Sequence, residues 1–99
     1  MFNIKNISLN GFIPKYINKR NLRKITTSGK YQIVQILTER MWKEGHIIFS
    51  VRIDPRTFKE EYPTKLDKSK NIVLYGEKHS MARYYRMLMA DKYNVYLVK

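Results

Sequence analysis

The absence of cysteine from all 99 residues sets the first limit on what this chain can fold into. Disulfides, thiolate catalysis and zinc or iron–sulfur sites with cysteine ligands are excluded. A chain of this length buries only about 60–65% of its unfolded surface, so an apolar core, helped by a partner subunit, must supply the stability. A hydrophobic content of 43% with 13% aromatics is enough for that core. One domain spanning 1–99, assembled as a homodimer, is the expectation. No apolar run approaches the roughly 18 residues of a bilayer span. The opening MFNIKNISLNGF lacks the charged-then-apolar order of a signal peptide, which predicts an intracellular location.

Charge is distributed unevenly. Twenty Lys and Arg against eight Asp and Glu give +12. Residues 1–30 hold seven bases (Lys5, Lys15, Lys19, Arg20, Arg23, Lys24, Lys30) and no acid, so +7 of the excess lies in the first thirty residues. That density attracts phosphates, anionic headgroups or acidic protein surfaces. Bases interleave with aromatics in KYINKRNLRK and RYYR, where Lys and Arg can meet phosphate while Tyr stacks on bases. Lys15, Tyr16, Lys19, Arg20, Arg23 and Lys24, with Arg83 and Arg86, are therefore the candidate surface for nucleic acid or another polyanion. The alternative is a structural or protein-interaction component whose charge serves only solubility, with Trp42, Tyr84 and Met87 as its contact surface.

Periodicity predicts the elements. FNIKNISL reads as a strand, Asn10-Gly11 as a turn, and 10–30 as a long basic connection with a short helix at 15–23. Thr26, Thr27 and Ser28 offer caps for a helix ending at Gly45, with Ile33, Val34, Leu37 and Met41 on one face and Trp42 opposite. HIIFSVRI alternates like a strand, RTFKEEYPTKLDKSK reads as a polar loop, and NIVLYG as a short buried strand. Residues 78–92 form a helix with Met81, Ala82, Tyr85, Leu88 and Met89 on one side, and NVYLVK a last strand. The resulting order βαββαβ predicts an α+β fold: a ferredoxin-like antiparallel sheet with both helices on one face.

Enzyme signatures are missing. His46 and His79 stand far apart with no acid at zinc-site spacing, so no metal is expected, and four isolated glycines match no phosphate or dinucleotide cradle, so no cofactor is expected either. Tyr84 and Tyr85 in ARYYRM resemble the tyrosines of rolling-circle replication endonucleases. Those enzymes need a His-hydrophobe-His strand, and here the residues are His46-Ile47-Ile48. Tyr85 is better read as core beside Met81 and Leu88, and the chain as non-enzymatic.

Segments such as MFNIKNISLNGF and HSMARYYRMLMADKYNVYLVK, rich in Lys, Ile, Tyr and Asn, resemble the small orphan proteins of lipothrixviruses, filamentous viruses of hyperthermophilic archaea. The resemblance implies a compact, heat- and acid-resistant dimer, located in the infected cell or the virion. With the charge pattern it points to a viral DNA-binding protein.

Overall fold

The structure is a computed structural model and describes residues 14–99. The expected strand at 2–9 and the turn at Asn10-Gly11 lie outside the described residues. The elements are β1 (Tyr16–Ile17), a 3-10 turn (Lys19–Asn21), α1 (Leu22–Thr26), β2 (Tyr31–Ile36), α2 (Glu39–Glu44), β3 (Val51–Ile53), α3 (Phe58–Lys65), β4 (Asn71–Leu74), α4 (Lys78–Ala90) and β5 (Asn94–Val98).

All five strands are parallel, in the order β1-β5-β4-β2-β3. The antiparallel ferredoxin-like sheet and its α+β class are therefore corrected to a doubly covered α/β sheet. The reason lies in the connections. Antiparallel neighbours need only a tight turn, whereas parallel ones need a crossover of a dozen or more residues. The stretch after β3, expected as a loop, folds as α3 and carries the chain back across β2 to β4. Glu60 and Glu61 stand in its first turn, and Glu61 meets Lys65 one turn later at 2.7 Å. Pro63 sits near its end, where the broken hydrogen-bond ladder is short.

The expected helix up to Gly45 is the largest local correction. Its first half is β2, the central strand, and only 39–44 is helical, capped by the Thr38 hydroxyl, which accepts from Met41 N at 3.3 Å. Tyr31, Ile33, Val34 and Ile36 favour a pleated chain, and a parallel strand buried on both faces shows no alternation to betray it. Thr26, Thr27 and Ser28 are followed by a strand and cap no helix; their hydroxyls donate back to carbonyls of α1 and close its end, and Ser28 Oγ also accepts from Lys30 N at 3.2 Å. Gly29, at φ +75°, then turns the chain into β2. HIIFSVRI contributes only Val51–Ile53 to the sheet, because Phe49 adopts a left-handed φ of 66° and breaks the extended run.

Strand alternation divides the core in two. Val34, Ile36, Ile53, Ile72, Leu74, Val95 and Leu97 point to one face, where they pack with Phe58 of α3 and with Met81, Tyr85 and Leu88 of α4. Tyr62 donates its hydroxyl to Asp91 at 3.1 Å and lies edge-on to Tyr93, which ties α3 to the end of α4. Ile33, Gln35, Val73, Tyr75 and Tyr96 alternate with these and turn to the other face. Right-handed crossovers place α1 and α2 there.

Candidate functional site

The chain leaves β2 towards β3 and leaves β4 in the opposite direction, towards β5. The crevice outside the carboxyl ends of β2 and β4 is thus a topological switch point, where open α/β sheets bind ligands. Three residues, Tyr75, Gly76 and Glu77, bridge β4 to α4 at that crevice. Gly76 permits a close approach: a β-carbon there would stand 3.1 Å from Met81 Cγ and Sδ. Glu77 caps α4, accepting from His79 N at 3.1 Å and from Ser80 N at 3.0 Å. The His79 and Ser80 amides hold its carboxyl below the usual carboxylate range. The chain's own anion therefore occupies the positive end of the helix.

Two clefts meet at Tyr75. The first, about 320 Å³, runs between Gly76, Glu77, Lys19 and the end of β5 at Val98 and Lys99. The second, about 340 Å³, opens on the α1 side. Its apolar lining is Leu22, Ile47, Ile48 and Tyr75, its charged lining Lys19, Arg20 and Arg23, and Thr26 completes it. Gln35 fixes one wall. This side chain is 8% exposed, and its Oε1 accepts from Ile47 N at 2.7 Å and from the Ser50 hydroxyl at 3.1 Å. Ser50 N and Oγ in turn donate to the Ile47 carbonyl at 3.1 and 2.6 Å. Held this way, the turn displays Ile48 and Phe49, 69% and 78% exposed. The ion pairs of the described residues all lie between positions 39 and 91, so Lys19, Arg20 and Arg23 reach this cleft without a carboxylate partner. The Lys19 ammonium stands 6.0 Å from the centre of the Tyr75 ring.

The candidate polyanion residues are not gathered on one surface. Lys15 hydrogen-bonds Asn94 and covers the Tyr96 ring at 4.7 Å, and Tyr16 lies under Lys99. Lys24 is exposed on α1, outside the clefts' lining. Arg83 lines a separate cleft with Arg56, Tyr84 and Met87, beside α3 and α4, and Arg86 is exposed on α4. The candidate contact residues are likewise divided. Trp42 stacks on His46 at 3.6 Å on α2, while Tyr84 packs on Phe58 at 4.6 Å and Met87 flanks the core. Tyr75, Ile47 and Ile48 carry no sequence signal that links them to Lys19; the sheet order brings them together. Among the described residues no cluster of His, Asp and Glu could hold a metal ion, and no helix is long and apolar enough to cross a membrane.

The model of the family described as "Rhodanese-like domain" matches residues 18–99. The chain belongs to the rhodanese-like family. Solved structures share the fold of this rhodanese-like domain. A rhodanese-related protein of Thermoplasma volcanium is 18% identical, with a TM-score of 0.69 over 86% of this chain and 83% of its own. The reduced CoADR-RHD of Bacillus anthracis is 22% identical, with a TM-score of 0.72 over 95% of this chain and 17% of its own. An EanB variant in complex with hercynine is 19% identical, with a TM-score of 0.71 over 88% of this chain. The chain spans only 24% of that EanB chain. No curated protein matches the chain significantly.

These findings overturn two expectations. The lipothrixvirus resemblance gives way to the rhodanese-like family and its rhodanese-related neighbours, and the virion location loses its basis with it. The basic viral protein, binding DNA or another polyanion through its N-terminal third or serving as a structural component, gives way to a domain type found in sulfurtransferase-type proteins and related enzymes. Physically, composition misled: a net charge speaks to association, never to fold.

Proposed function

We propose that this chain is a non-catalytic rhodanese-like domain, a binding module with no thiol to carry a transferable sulfur. The observation behind the reading is the missing cysteine. Passing a sulfur atom through a protein requires a thiolate to accept it as a persulfide, and the chain has no thiol to ionise. Two further features support it. A thiolate gains most at the N-terminus of a helix beyond a strand, and here Gly76 and Glu77 stand before α4. Glu77 itself takes the amides that would stabilise a bound or developing anion.

The test is sulfur transfer from thiosulfate to cyanide, with thiocyanate as the readout, alongside mass spectrometry after exposure to a sulfane-sulfur donor. No thiocyanate above the protein-free rate and no added sulfur atom are expected. Enzyme-dependent thiocyanate, or a stable gain of one sulfur, would refute the proposal.

A further inference from the structure

We infer that the cleft between α1 and the 46–50 turn binds a small amphipathic anion: an apolar body about the size of a medium-chain carboxylic acid, carrying one carboxylate. This rests on the binding-module reading and names its ligand class. Three independent features converge on it. The cleft's volume, about 340 Å³, lies in the range of small-molecule sites. Its walls offer an apolar surface, Leu22, Ile47, Ile48 and the Tyr75 ring, that the short helix α1 leaves uncovered. Its rim carries Lys19, Arg20 and Arg23, none of which pairs with a carboxylate among the described residues.

Each feature selects against other small ligands. A wholly polar anion would gain the ionic contacts and leave the apolar wall wet; a neutral hydrocarbon would bury that wall and leave three cations unanswered. A molecule with both properties satisfies both. The wall is also held in place before binding, because the buried Gln35 fixes Ile47 and Ser50, so little ordering cost opposes association.

The experiment is a titration of the full chain, by calorimetry and by amide chemical shifts, with octanoate, 1-octanol and sulfate as probes. Octanoate should bind at one site and perturb 19–26, 46–50 and Tyr75, with octanol and sulfate each weaker by roughly tenfold or more. Arg23→Gln should weaken octanoate several-fold and leave octanol unchanged. Ile48→Asp, at a position 69% exposed, should weaken it at least as much. Near-ultraviolet circular dichroism of both variants confirms the native fold. Equal binding of octanol, absence of octanoate binding, or unaltered affinity in Ile48→Asp would overturn the inference. So would the expected homodimer, if sedimentation showed a second copy covering Ile48 and Phe49. Thiocyanate production by the same preparation would overturn the binding-module reading instead, so the two failures are separable.

Discussion

The two faces of this sheet are built from the same five strands and differ in how they are covered. On one, α3 and α4 bury Phe58, Met81, Tyr85 and Leu88 against seven strand residues. On the other, α1 and α2 have five and six residues and bury none of their own side chains. Ile33 and Val73 are nonetheless only 2% and 0% exposed. Stability is concentrated on the thick face, and recognition is left to the thin one, where apolar surface remains for a ligand to complete.

That division makes a quantitative claim. Leu88→Ala should be the most damaging of the changes considered, by about 2–5 kcal/mol in denaturant unfolding, because Leu88 is wholly buried between α4 and the sheet. Gln35→Leu should cost less, about 1–3 kcal/mol, since it leaves the Ile47 amide without its acceptor, while the Ser50 hydroxyl keeps the Ile47 carbonyl. Its effect should be local. Hydrogen exchange should rise across 46–50 and stay unchanged in α4. Uniform loss of protection would show that the two faces are one cooperative unit, and the comparison would break.

The thick face was also the more legible one in sequence. The stripe Met81, Ala82, Tyr85, Leu88 and Met89 places a helix at 78–92, which the structure ends at Ala90, and NIVLYG and NVYLVK read as strands, of which Asn71–Leu74 and Asn94–Val98 lie in the sheet. Face and period coincide there, which is what makes a pattern readable. The centre was not legible: Ile33, Val34, Leu37 and Met41 satisfy a helical spacing by accident, since a strand covered on both sides is apolar at consecutive positions. In α3 the spacing Phe58, Tyr62, Leu66 was a usable helical signal, outweighed by Pro63 and the surrounding charge. As for the site, Lys19, Arg20 and Arg23 stood out by charge alone. Their apolar neighbours Ile47 and Tyr75 come from distant segments, and only the strand order joins them.

A smaller effect, of opposite sign, sharpens the contrast. Phe49 holds a left-handed backbone while its side chain is 78% exposed, so strain there is offset by little packing. Phe49→Gly should raise stability by up to about 1 kcal/mol. A loss instead would mean that the ring packs against the thin face in solution.

The smallest expected effect concerns the α4 cap and depends on pH. Because the Glu77 carboxyl lies below its ordinary range when folded, its ionised form favours the native state. That contribution is present at neutral pH, above the unfolded value of about 4.3, and is lost as pH falls through the lower folded value. Glu77→Gln should therefore lower the melting temperature slightly at neutral pH, and the gap to the parent should close below about pH 4. The cap serves the thick face through α4 and borders the Lys19 and Lys99 cleft. If the gap instead stayed the same at every pH, the ionised carboxyl would contribute nothing to the cap, and the helix end would be open to an external anion.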